Sequence, residues 1–139
     1  MIGTLKTALH AHGAPLGLLL LRVGFGGFMA VNHGWPKLMG FADKSAKFAS
    51  FLPIPSPLSL SLAIFGELVC AILIVAGLGT RVAAVPAAIT MLVAAFGAHG
   101  DDVTGDGEHA LLFAIAFAAI AFTGPGRFSL DALLRKGRG

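Results

Sequence analysis

From Leu58 to Leu78 a single charged residue, Glu67, interrupts an otherwise uncharged, largely apolar stretch, and from Pro15 to Val31 the same is true of Arg22. Runs of this kind approach the roughly 20 residues that a helix needs to cross a hydrocarbon core about 30 Å thick. Val82 to Ala98 and His109 to Thr123 are two further apolar runs. The two embedded charges stand out because an ionisable side chain in hydrocarbon costs several kcal/mol unless it finds water or a partner.

Composition points the same way. The chain is 56% hydrophobic and 12% charged, with a mean hydropathy of +0.85, which excludes a soluble domain with a solvated surface. A soluble four-helix core would need a polar face on each helix, and these runs are apolar all round. The expected fold class is therefore all-α: a transmembrane four-helix bundle with a short amphipathic interfacial helix in the first loop. No linker or repeat divides the chain, so residues 1–139 read as one integral membrane domain. Its spans are expected at about 8–32, 58–78, 81–98 and 107–124, with an interfacial segment at about 41–51 and a tail at 125–139.

Orientation follows from Lys and Arg. An even number of spans puts both termini on one side, which collects Lys6, Arg81, Arg127, Arg135, Lys136 and Arg138. The opposite side holds Lys37, Lys44 and Lys47 in the first loop and the acidic Asp101, Asp102, Asp106 and Glu108 in the third. The positive-inside rule then places both termini in the cytoplasm, in the plasma (inner) membrane. The net charge of +3 reports this topology, and a nucleic-acid partner is not indicated. Lys6 before an apolar run resembles a secretory signal, but Arg22 interrupts the run and no clear cleavage site follows, so the reading is an uncleaved first span. Cys70, alone in its type, excludes an internal disulfide and a paired-thiol relay.

Small residues within the runs, among them Gly24, Gly26, Gly27, Gly66, Ala114, Ala118 and Ala121, favour close helix approach. The first loop interleaves Phe41, Phe48 and Phe51 with Lys44 and Lys47 before Pro53, Pro55 and Pro57 stop any helix. That pattern fits an interfacial helix, either a plain anchor or a lid over a lateral opening.

Depth places the polar groups. Arg22, Gly26, Met29 and His33 share one helical stripe. With Glu67 expected near mid-membrane, an Arg22–Glu67 ion pair is geometrically plausible, either to fix helix register or to tune a Glu67 that exchanges protons or binds a ligand head group. A second cluster gathers at the outer edge: His33, His99, Glu108 and His109, with Lys37 nearby. It could hold zinc or ligate a haem, although its spacing matches no specific metal motif, and no metal ligands are assigned. It could instead form a quinone pocket, in which His and carboxylate supply protons while Trp35, Phe25 and Met29 pack the ring.

The segments LLLLRVGFGGFMAVNHGWPKL at 18–38, GELVCAILIVAGLGTRVAAV at 66–85, His99, GEHALLFAIAF at 107–117 and GPGRFSLD at 124–131 together resemble the DoxX family of small four-helix membrane proteins. The resemblance implies a membrane subunit associated with quinone-linked redox enzymes. It matches Arg22, His33, Gly34, Lys37, Glu67, Arg81, His99, Glu108 and Arg127 to the family's recurrent polar positions. The chain's own residues supply no Cys cluster, haem-attachment motif or dinucleotide fingerprint, so electrons must come from a partner. The expectation is a subunit that anchors a redox assembly in the lipid bilayer and contacts quinone, possible as its cofactor. Glu67, His99 and Glu108 would do the acid–base work, and Arg22, His33, Trp35, Lys37 and His109 would hold the ligand. A scaffold without chemistry of its own, or a small-solute or proton carrier acting as a homo-oligomer, are the alternatives.

Overall fold

The computed structural model describes residues 1–50, 52–98, 100, 102, 104–105 and 107–137. Among these the chain is helical throughout its regular structure. The order is α1 (Ile2–Met29), a π-helical turn (Ala30–Gly34), α2 (Trp35–Met39), α3 (Phe41–Lys44), α4 (Ser56–Ile64), a second π turn (Phe65–Val69), α5 (Cys70–Ala76), α6 (Thr80–Val93), a third π turn (Ala94–Ala98), α7 (Glu108–Thr123) and α8 (Leu130–Lys136). The π turns join their flanking helices into rods. Ala11–Met39, Ser56–Ala76 and Thr80–Ala98, hereafter the first, second and third spans, are long and apolar enough to cross a membrane, and α7 is a shorter apolar helix of 16 residues.

Each span packs on the next, and α7 closes the ring by packing on both α6 and α1. Ala83, Ala84, Ala87 and Ala88 of α6 are buried, as are Ala114 and Phe117 of α7. Small side chains let these two backbones come close where lipid offers no hydrophobic drive to association. Gly26 serves α1 in the same way: a Cβ there would lie 2.8 Å from Val75 and 3.1 Å from the Ala71 carbonyl. Gly24 and Gly27 face open space. Outward faces carry exposed Leu20, Phe28, Val82 and Phe122, as a surface solvated by acyl chains requires.

The first rod runs past residue 32, where the sequence places the end of the span. Pro36 cannot donate to a carbonyl one turn back, and the π turn just before it absorbs the break, with the Trp35 N–H reaching the Ala30 carbonyl. The predicted interfacial helix is the four-residue α3, and Phe41 and Phe48 pack against the core. Phe51 lies outside the described residues.

The end of the bundle carrying the chain termini is locked by backbone capping. Gly77 (φ +73°) ends α5, with Leu78 N–H on the Leu73 carbonyl at 3.0 Å and Gly77 N–H on that of Ile74 at 3.1 Å, the pairing of a Schellman motif. Ser129 caps α8 by accepting from Ala132 N–H at 3.2 Å. Asp131 then reaches across to accept from Gly79 N–H (2.9 Å) and Thr80 N–H (3.1 Å), the first donors of α6. Partial burial pushes the Asp131 carboxyl up, but these backbone donors outweigh it and hold its pKa below the ordinary 3.8. A carboxyl lowered on folding contributes stability above its unfolded pKa and loses it as pH falls through the folded value. Thermal unfolding followed below pH 4 should show a decline in stability that Asp131→Asn flattens; identical pH profiles would remove this clamp from the picture.

Candidate functional site

Arg22 is 1% exposed, yet it does not meet Glu67. Its guanidinium donates to the Phe128 carbonyl and lies 3.5 Å from that of Ile74, at the negative end of α5. The expected pairing is corrected by axial depth. Glu67 is level with Gly34, where a Cβ would lie 2.7 Å from the Glu67 backbone. Twelve residues separate Gly34 from Arg22, or about 18 Å along a helix, beyond the reach of a guanidinium. The first rod continues to Met39, and that continuation puts Lys37 rather than Arg22 beside Glu67.

Lys37 takes the carboxylate instead, with Nζ 2.5 Å from Glu67 Oε2. The Glu67 side chain is 5% exposed and that of Lys37 23%. Both ends of this ion pair depend on π turns. Glu67 sits inside the second, and Lys37 follows the first, which also carries His33. Such bulges turn side chains off the regular helical stripe and recur at functional sites. Gly34 permits the contact, since any larger residue would force the two spans apart.

Around the pair lies a cavity of about 640 Å³, within the usual range for small-molecule sites. Its polar lining includes His33, Lys37, Glu67, Ser59, Thr90 and His109, and most of its wall is apolar. His33 and His109 stack with ring centroids 5.5 Å apart and planes at 23°. Phe113 packs on both imidazoles, and Phe25 meets Phe113 edge-on at 5.3 Å. This aromatic column ties α7 to the first span. His33 lines the cavity, while its Nδ1 is buried and makes no hydrogen bond among the described residues.

Among the sequence-proposed site residues, Lys37, Glu67, His33 and His109 are thus brought together. Arg22 stands at the other end. Trp35, 53% exposed, and Glu108, also exposed, are not among the described cavity-lining residues. Phe25 and Met29 are absorbed in helix packing. His99, Asp101 and Asp106 lie outside the described residues. Among those described, no three His, Cys, Asp or Glu side chains form a metal-binding group. Phe48, Ala49, Leu52 and Ile54 of the first loop line the cavity, where the sequence allows either an anchor or a lid; what the sequence does not show is that they meet Pro86 and Thr90 of α6 there. The Phe-rich loop was the available signal. The Gly66–Thr90 contact was not foreseeable, since Gly66 abuts Thr90 only because both spans converge there.

A model of the DoxX family matches residues 17–100. Over 127 residues, covering 84% of this chain and 89% of the relative, the sequence is 38% identical to the inner membrane protein YphA of Escherichia coli (strain K12). No solved structure matches it.

Proposed function

The chain therefore belongs to the DoxX family, and from that membership we propose that it is an inner-membrane subunit whose cavity holds the head group of a quinone for a redox assembly. The observation that carries this reading is the apolar cavity with four convergent polar side chains, Lys37, Glu67, His33 and His109. A quinone head is a flat ring with two carbonyl acceptors. Lys37 Nζ and a His33 N–H are donors suited to those carbonyls, and the apolar walls suit the ring.

Reduction of such a ligand takes two electrons and two protons. The electrons come from a redox partner protein, since the chain carries no electron carrier of its own in sequence. The imidazoles of His33 and His109 would pass protons to the ring, with the exposed His109 as the point of exchange with water, while the Glu67 carboxylate accepts from Lys37 and orients it. Both termini are cytoplasmic in this reading. Lys6, Arg81, Arg127, Arg135, Lys136 and Arg138 on the side of the termini, against Lys37, Lys44 and Lys47 in the first loop, support that orientation.

A ligand that binds only the folded protein raises its stability, by about 2.7 kcal/mol at a hundredfold excess over Kd. A short-tailed quinone added to the purified protein should raise Tm by several degrees, and His33→Leu should at least halve that rise. An unchanged Tm across the solubility range of the quinone would overturn the proposal.

A further inference from the structure

The cavity has a rim as well as a floor. Leu62 and Phe65 on the second span, three residues apart, and Ile89 and Val93 on the third, four apart, each line the cavity. The same four side chains are 49%, 48%, 54% and 37% exposed, and Leu52 of the first loop, also in the wall, is 53% exposed, so the rim runs along the second and third spans up to that loop. Side chains that belong both to a cavity wall and to the lipid-facing surface mark the place where the two communicate. The four polar groups come from the first and second spans and α7, so head and opening occupy different sides.

The opening also has a lower edge. At Gly66 the second span presses on the third so closely that a Cβ would collide with Thr90 Oγ1 and lie 3.3 Å from the Pro86 carbonyl. Thr90 Oγ1 donates to that carbonyl at 2.8 Å, which holds the threonine side chain against its own helix at the contact. Toward the first loop from this contact lie Leu62 and Val93. The cleft therefore opens within the membrane, below the roof formed by Phe48, Leu52 and Ile54.

Resting on the head-group reading above, we infer that the ligand is lipid-borne: its head enters sideways from the bilayer, and its apolar tail leaves between the second and third spans past Leu62, Phe65, Ile89 and Val93. A tail lying there stays among acyl chains. It gains little affinity measured against lipid, so tail length by itself is a poor test. Obstruction of the cleft is a good one.

The experiment compares two quinones with the same head, one tail-less and one with a long isoprenoid tail, binding to the full-length protein in lipid nanodiscs. The double variant Leu62→Trp/Ile89→Trp fills the rim with bulk while touching outward-facing positions. The variant should cost the tailed ligand at least tenfold more affinity than the tail-less one, and the tail-less binding that remains certifies the fold. As a second measurement, a photoreactive group in the tail of the long ligand should label residues 58–65 and 89–93 in the wild type. Equal losses for both ligands, no loss for either, or labelling confined to the first loop or α7 would each overturn lateral exit while leaving the head-group site standing. Failure of the wild type to bind either quinone would overturn the head-group reading and this inference with it.

Discussion

Lys37→Met should destabilise the protein by about 3 kcal/mol, and adding Glu67→Leu should recover most of that loss. The carboxylate of Glu67 is 5% exposed and bonded to Lys37 Nζ at 2.5 Å. Removing the lysine strands it among apolar neighbours such as Leu68 and Ile64. Replacing both partners by apolar residues of similar size removes the stranded charge along with the bond. Denaturant or thermal unfolding of the two single variants and the double variant measures the coupling. The double variant should be folded and yet fail to respond to quinone, which separates the pair's contribution to stability from its place in the binding site. Additive single effects would mean that the two groups do not interact.

Gly34→Ala should cost about 2 kcal/mol and abolish the ligand response, whereas Gly24→Ala in the same rod should be neutral or mildly stabilising. A Cβ on Gly34 would lie 2.7 Å from the Glu67 carbonyl carbon and oxygen and from Leu68 Cβ. Two of those atoms are backbone, so relief requires the first and second spans to separate where Lys37 meets Glu67. Gly24 has nothing within 4 Å of the same added atom. Equal behaviour of the two variants in unfolding and in quinone-induced Tm shift would contradict the close approach at Gly34.

The helical framework was legible because length and apolarity decide it locally. The runs around Arg22, Glu67 and Ile89 could hardly be anything but buried helix, and Gly77 and Ser129 announce an end and a start by their own conformational preferences. The charge partners were not legible to the same degree. Pairing Glu67 depended on axial register, and register depended on whether the first helix stops near Asn32 or continues through a π turn to Met39. Pro36 has no N–H to donate, yet the π turn before it absorbs the missing donor and carries Lys37 to Glu67. Periodicity at 3.6 residues cannot foresee a turn with a wider repeat. His33 and His109 were identifiable as polar groups at the helix ends, but their stacking rests on α7 packing against α1, a tertiary fact.

Arg22 is a buried charge held by backbone carbonyls within the fold. Its guanidinium reaches the Phe128 carbonyl and approaches that of Ile74 through space that only a glycine at 77 leaves open. Glu67 differs in kind. It faces a cavity large enough for a ligand, lined also by the imidazoles of His33 and His109.

The most direct measurement is the content of redox-active lipid in protein extracted from its own membrane in mild detergent, quantified per chain for the wild type and for the Lys37→Met/Glu67→Leu double variant. Near-stoichiometric quinone in the wild type and a loss of at least tenfold in the variant is the expected result. Wild-type protein, folded and free of quinone beyond the level of a detergent blank, would contradict a head-group site at Lys37 and Glu67.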